Sequence, residues 1–464
     1  MSGKLTTVEQ TDCETYRVVV LGQSGTEVLV VPDGDRFALP SVNIPRWQRV
    51  AENLTAAVKT DWGEEVVCLF EPDASAGIHY QAAEHWRVSG NPKMPTQWVP
   101  FSVLAHDSLI GASDYLAIQQ SIAQCSAEGN ESPSGPFARL GWFKELGEWV
   151  ETVIEPLGFQ LNGNIRQVNA SSSFSLVRFE TDGPALWFKA VGEPNLREFP
   201  ITLTLTGLFP TYIPQVFAAR PEWNGWLTPD VEGISLSETQ EVTSWETAAV
   251  ALAKLQIESI SAGASVLESG AHDLGAAVMS KLVDPFLDVM RQLMEQQTKA
   301  TPRALSQHEL AFLGEHIQNS LRLLKTSDIP DSLGSLDFNP GNVIASKNGC
   351  KFLDWAEAYV GHPFFTFAYL LEHFRRVVAI DTKLEEQLTA SYTAQWKRLL
   401  PSAVIAESLT VAPLLAVFAY AVGCGLCSEE RLRDPENAGY LRALTRRMNR
   451  EANEILDWRS ACLS

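Results

Sequence analysis

Apolar and polar positions change rhythm three times along this chain. Near its start, residues 16–21 and 27–31 are strand-like runs around the Gly-rich turn Gly22-Gln23-Ser24-Gly25, and they predict a hairpin. From 44 to 61 apolar side chains at Trp47, Val50, Leu54, Ala57 and Val58 recur at helical spacing, and Gly63 fits a C-terminal cap. Residues 66–70 then read as a buried strand. At 126–136 the pattern stops: Gly, Pro and Ser crowd together with no apolar residue beyond one alanine, which predicts a linker.

A second rhythm follows. Residues 142–154 are an amphipathic helix. Strand-like runs at 165–168, 174–179 and 185–191 are separated by the polar turns 169–173 and Glu180-Thr181-Asp182-Gly183. A short helix from Asn195 precedes strands near 215–219 and 223–231. From about 241 the spacing is mostly helical. Thr243 with Glu246, and Ser306 with Glu309, have the spacing of capping boxes. The pattern predicts an α+β protein: an N-terminal α/β domain over 1–125, a linker over 126–136, a small strand-rich lobe over 137–240 and a large helical lobe over 241–464.

Composition narrows the function classes. The net charge of −20 over 464 residues, with a pI near 4.9, disfavours nucleic acid and anionic membranes as partners. An acidic surface serves solubility, and it would also suit cationic substrates. Residues 409–426 are uncharged but rich in Ala and Gly and interrupted by Pro413, and are expected to be a buried helix rather than a membrane span. Residues 1–7 contain no apolar signal core. The seven cysteines are scattered, which suits a reducing cytoplasm. Cys424 and Cys427 have redox-motif spacing but lie in an apolar helical stretch with no strand before it.

Chemistry concentrates at Asp337-Phe338-Asn339-Pro340-Gly341-Asn342, followed by a strand-like run at 350–353 and Asp354. The sequence is also a good turn, since Asp, Asn, Pro and Gly all favour turns. Asp354 falls 17 residues after Asp337, the span a hairpin needs to return a second carboxylate to one metal. One carboxylate to take a proton, with an amide and a second carboxylate for magnesium, is the inventory of phosphoryl transfer from ATP. Upstream, Lys189 sits inside an apolar strand pattern, where it needs a partner, and Glu198 follows nine residues later. Ser172 and Ser173 lie in a polar turn whose backbone amides suit phosphate oxygens. Leu227 and Thr228 lie on a segment between the expected lobes against which an adenine ring would fit.

The order of these features, over about residues 137–450, resembles the aminoglycoside phosphotransferase and choline kinase family, relatives of protein kinases. The most specific parts are residues 336–343, residues 352–358 and Gly361-His362-Pro363. The resemblance implies a two-lobed protein-kinase-like fold and ATP- and Mg-dependent transfer to a hydroxyl of a small polar molecule. It implies that Asp337 is the catalytic base, that Asn342 and Asp354 bind magnesium, and that Lys189 and Glu198 position the nucleotide. Two departures stand out: Ser335-Leu336 where the family has His-Gly, and Thr366 where it often has Asp. They keep open an alternative, a catalytically impaired nucleotide-binding regulator. Glu357 and Glu372 would permit an amine-bearing acceptor. The N-terminal block resembles a degenerate Nudix domain. Ser41-Val42 stands in place of a glycine pair, Ala56, Ala57 and Thr60 fill charged positions, and only Asp61 stays acidic. That block is expected to be non-catalytic.

Overall fold

The computed structural model describes residues 13–46, 48–75, 77–88, 94–126, 135–378 and 380–463. Residues 1–7, Trp47 and most of the predicted linker therefore lie outside the described residues. The architecture is mixed α+β. The chain forms two compact units, one holding the residues up to Phe199 with Val216–Asp230, the other Pro200–Gln215 with Val231–Ser464.

In the first unit, β1 (Cys13–Leu21), β2 (Glu27–Asp33), β3 (Arg36–Ala38), β4 (Ser41–Pro45), β5 (Glu64–Phe70), β6 (His79–Val88) and β7 (Gln97–Pro100) form one sheet with α1 (Val50–Trp62) and α2 (Asp114–Ser126). The predicted hairpin is present, with Leu21 opposite Val28, and Gly63 ends α1 in the left-handed region at φ 71. The helix expected from residue 44 starts only at Val50. Residues Ser41–Pro45 alternate exposed and buried and pair with β1, Val42 opposite Tyr16, so a period of two wins over the helical reading. Strand β6 runs parallel to β1, between it and the edge strand β5, and escaped the sequence reading, because its Gln81-Ala82-Ala83-Glu84 stretch has no β-branched signal.

The same unit continues with α3 (Trp142–Ile154) and a five-stranded antiparallel sheet, ordered β11-β12-β10-β9-β8. Its strands are β8 (Leu161–Ser171), β9 (Phe174–Thr181), β10 (Leu186–Val191), β11 (Ala218–Arg220) and β12 (Gly225–Pro229). The turn expected over 169–173 contracts to Ser172 and Ser173, because β8 stays paired through Ser171 opposite Phe174. One apolar core joins this sheet to the first: Val19, Leu21 and Tyr80 are buried in the same cluster as Phe143, Leu146, Val177, Phe188 and Trp223.

Helix α4 (Glu198–Leu208) begins at the end of the first unit. The second unit carries β13 (Ile234–Ser235), β14 (His272–Leu274), β15 (Ser332–Ser335), β16 (Val343–Ser346), β17 (Gly349–Phe352) and β18 (Ala358–Gly361) in two small sheets, β13-β16-β17 and β14-β18-β15. Its helices are α5 (Val242–Ser259), α6 (Gly263–Glu268), α7 (Ala276–Glu295), α8 (Gln307–Thr326), α9 (Phe364–Val377), α10 (Thr382–Trp396), α11 (Ser402–Gly423), α12 (Glu429–Leu432) and α13 (Pro435–Leu463). The Ser306 capping box forms: Glu309 N–H donates to Ser306 Oγ at 3.2 Å and Ser306 N–H to Glu309 Oε2 at 2.8 Å. The Thr243 box does not form. Helix α5 already starts at Val242, so Thr243 lies inside its first turn.

Two segments, Val242–Glu268 and Ser402–Gly423, are long and apolar enough to cross a membrane by length and composition. In α11, Val411, Leu414, Leu415, Val417 and Phe418 are buried in a cluster with side chains of α7, α8 and α13. A helix apolar nearly all round is what such a position inside a bundle requires.

Candidate functional site

The second unit positions the Asp337 loop by burying everything around it. Strand β15 is fully buried and pairs with β18, Ser335 opposite Ala358. Leu336 N–H donates to Glu357 O at 3.0 Å, which extends that pairing one residue beyond β15. Phe338 then turns inward, its ring 5.7 Å from Phe352, and leaves Asp337 and Asn339 exposed on either side. Asn339 closes the turn: its Oδ1 accepts from Gly341 N–H at 2.9 Å and its carbonyl from Asn342 N–H at 2.9 Å.

Strands β16 and β17 pair antiparallel with Val343 opposite Phe352. One step further, Leu353 N–H donates to Asn342 O at 2.8 Å. Asn342 and Asp354 therefore emerge together at the open end of one hairpin. Asp354 holds φ 59, a left-handed conformation uncommon outside glycine, and is exposed. Buried Trp355 anchors the turn by donating from Nε1 to Phe352 O at 3.2 Å. Backbone strain of this kind clusters at working sites.

An amide oxygen and a carboxylate at the mouth of a hairpin suit magnesium, which keeps several waters and takes the rest of its ligands from phosphates. Among the described residues no group of three His, Cys, Asp or Glu side chains is arranged to hold a metal.

In the first unit, Lys189 lies on β10 between Leu176 and Trp226 of the flanking strands. Its Nζ is 2.5 Å from Glu198 Oε1, with side-chain exposures of 16% and 3%. The rings of Phe174 and Trp226 each lie 5.8 Å from the ammonium. A lysine in such surroundings holds its charge only beside a carboxylate. Ser172 and Ser173 are half-buried at the β8–β9 turn, with Ser173 N–H donating to Ser171 Oγ at 3.2 Å. Leu227 is fully buried, and its carbonyl accepts from Phe217 N–H at 2.8 Å. Thr228 lies one step beyond the last β11 pair and is half-buried. The structure thus brings Lys189 to Glu198 and Asn342 to Asp354, while each unit carries its own half of the predicted set.

Of the two glutamates considered for an amine-bearing acceptor, Glu372 is ruled out as an unshared charge. It accepts from both Arg376 and Arg447, the latter at 2.5 Å. Glu357 lies 3.3 Å from His272 Nε2.

The sequence reading missed what stands in for the two departures at Ser335 and Thr366. Thr366 is fully buried, and its hydroxyl accepts from Ser335 N–H at 3.1 Å, lies 3.3 Å from Ser335 O and 3.0 Å from the Tyr359 hydroxyl. Leu336 occupies a notch: its Cδ1 lies 2.5 Å from where a Cβ on Gly423 would be. A spacing rule carries no signal for either contact, because Thr366 and Gly423 come from distant helices.

The family model "Phosphotransferase enzyme family" matches residues 196–401. That stretch contains Glu198, Asp337, Asn342 and Asp354. The resemblance to the aminoglycoside phosphotransferase and choline kinase family therefore stands. Among solved structures, the chain is similar to a macrolide 2'-phosphotransferase type I at 18% identity, covering 64% of this chain and 95% of that one, with a TM-score of 0.43. It is similar to the choline kinase of Cryptosporidium parvum Iowa II at 12% identity, covering 67% and 96%, with a TM-score of 0.46. It is also similar to aminoglycoside 2'-phosphotransferase-IIIa in its GDP complex at 14% identity, covering 66% and 98%, with a TM-score of 0.44. No curated protein matches the sequence.

Proposed function

We propose that the chain transfers the γ-phosphoryl group of ATP to a hydroxyl of a small polar molecule such as an aminoglycoside, an amino sugar, a sugar or an amino alcohol. The observation that carries this reading is the β16–β17 register, which returns Asp354 to Asn342 just beyond the exposed Asp337. The family match over the same residues supports it.

Asp337 orients the acceptor hydroxyl and takes its proton as the hydroxyl oxygen bonds to the γ-phosphorus. The bond from that phosphorus to the bridging oxygen breaks, and ADP leaves. Asn342 and Asp354 would hold magnesium, which would neutralise charge on the phosphates. Lys189, fixed by Glu198, meets the α- and β-phosphates, and the Ser172–Ser173 turn offers backbone amides. In this reading the segment of Leu227 and Thr228 lies against the adenine ring.

The test is a thermal-shift titration with Mg·ATP, coupled to ADP release over a panel of hydroxyl acceptors, on wild type and Asp337→Asn. Mg·ATP should stabilise both proteins, and only the wild type should transfer phosphate. Retained turnover in Asp337→Asn removes its assigned role. An unstabilised wild type removes the reading altogether, and stabilisation without transfer to any acceptor favours a nucleotide-binding regulator.

A further inference from the structure

We infer that Thr366 is a positioning residue for Asp337, and that an uncharged hydroxyl network holds this loop. The inference rests on the phosphotransferase reading for its catalytic consequence but not for its geometry. Asp337 is exposed and follows directly on Ser335 and Leu336, both buried, whose backbone sets where it leaves β15.

Three contacts fix those two residues. Ser335 N–H donates to Thr366 Oγ1 at 3.1 Å. Leu336 N–H donates to Glu357 O at 3.0 Å. The Leu336 side chain fills the notch at Gly423. The second contact is ordinary strand pairing and the third is packing. The first comes from a side chain of α9, and it satisfies an amide that would otherwise be buried without a partner. Thr366 is in turn fixed by Tyr359, whose hydroxyl lies 3.0 Å from Thr366 Oγ1 and 3.2 Å from His362 O. Proton bookkeeping permits three arrangements. Tyr359 donates to Thr366 while Thr366 donates to Ser335 O; Tyr359 donates to His362 O while Thr366 donates to Tyr359; or Tyr359 donates to His362 O while Thr366 donates to Ser335 O. In each, Thr366 accepts the Ser335 amide. Ser335 Oγ takes no part: it is buried without a hydrogen-bond partner among the described residues.

The experiment compares Thr366→Val, which keeps shape and loses the hydroxyl, with Thr366→Ser, which keeps the hydroxyl. Amide hydrogen exchange over 335–342 is read alongside kcat and the KM for ATP. In the valine variant, exchange in this segment should rise about tenfold, the factor expected for one lost buried hydrogen bond. Exchange in α7 and α8 should not change. Its kcat should fall by a similar or larger factor at nearly constant KM for ATP, and the serine variant should restore both. If the valine variant does not fold, Tyr359→Phe provides the decision through a smaller rise over the same segment. Unchanged exchange in Thr366→Val, or in Tyr359→Phe where that variant decides, overturns the inference. So does a serine variant as impaired as the valine one. Wild-type protein without transfer activity would remove the phosphotransferase reading, and the exchange result would still decide whether Thr366 holds the loop.

Discussion

The side-chain amide of Gln167 exchanges two hydrogen bonds with the backbone of Cys68, 99 residues away. Cys68 N–H donates to Gln167 Oε1 at 2.8 Å, and Gln167 Nε2 donates to Cys68 O at 3.0 Å. Strand β5 ends the first sheet and β8 ends the second, so one glutamine serves as the missing neighbour of a sheet edge. Arg166 and Glu52 add an ion pair at 3.4 Å between β8 and α1. The N-terminal block is thereby tied to the strand that leads into the Ser172–Ser173 turn.

Gln167→Leu should be clearly destabilising. Leucine fills similar space but leaves the Cys68 N–H and carbonyl without partners in a buried position, at a cost of about 1–3 kcal/mol for each unsatisfied group. Urea denaturation should show a lower midpoint, and exchange at Cys68 should accelerate before that of β15. A midpoint equal to wild type would mean that water replaces the amide and that the edge is open.

Local pattern carried much of this fold. Residues 142–154 form the predicted helix because their apolar face repeats cleanly and packs through Phe143, Leu146 and Val150. The β17 strand before Asp354 was legible because turn residues and a short apolar run mark it. What failed was nonlocal. Strand β6 is held between β1 and β5 by parallel pairing to β1, which no local propensity encodes. Thr243 had the right spacing for a capping box, but tertiary context started α5 earlier. Thr366 read only as a departure from the family pattern, because its contact with the Ser335 backbone spans 31 residues and leaves no trace in local spacing.

Gly334→Ala should cost stability through Tyr359. A Cβ on Gly334 would lie 2.2 Å from Tyr359 Cζ and 2.4 Å from its Oη, and the ring is fully buried. Overpacking against a rigid aromatic ring costs about 1–3 kcal/mol or more. Gly147→Ala is the control, since nothing lies within 4 Å of its Cβ position inside α3. There the change should stabilise by about 0.5–1 kcal/mol, as expected for a helix interior. Chemical denaturation of both variants checks the contrast, and equal effects would refute it.

His362 should make the protein sensitive to mild acid. Its ring is buried and Nδ1 accepts from Phe364 N–H at 3.3 Å; burial pushes its pKa down from 6.5 to about 3. The unfolded chain therefore binds a proton near pH 6.5 that the folded chain refuses. This contribution to stability is complete above pH 6.5 and is lost as pH falls toward 3. Burial lowers His373 in the same direction. Denaturation midpoints should be level above neutrality and fall between about pH 6.5 and 5, more gently in His362→Asn. A variant with the wild-type slope would show that other groups cause the fall.

Lys189 and Glu198 allow stability and nucleotide response to be separated. Removing one member of a buried pair strands the other charge, at a cost of about 3–5 kcal/mol, whereas replacing both by apolar residues is often neutral. Lys189→Met and Glu198→Leu should each lower the melting temperature. The double variant should recover much of the loss, because the methionine side chain would lie against Phe174 and Trp226 with the Glu198 carboxylate removed as well. The response to Mg·ATP should not recover with it. If Lys189 meets the phosphates, all three variants lose the nucleotide-induced shift, including the stable double variant. A double variant that is stable and still shifted by Mg·ATP would leave the pair as structural and place phosphate recognition elsewhere. The cycle is informative because the two side chains touch, so their energies should not add.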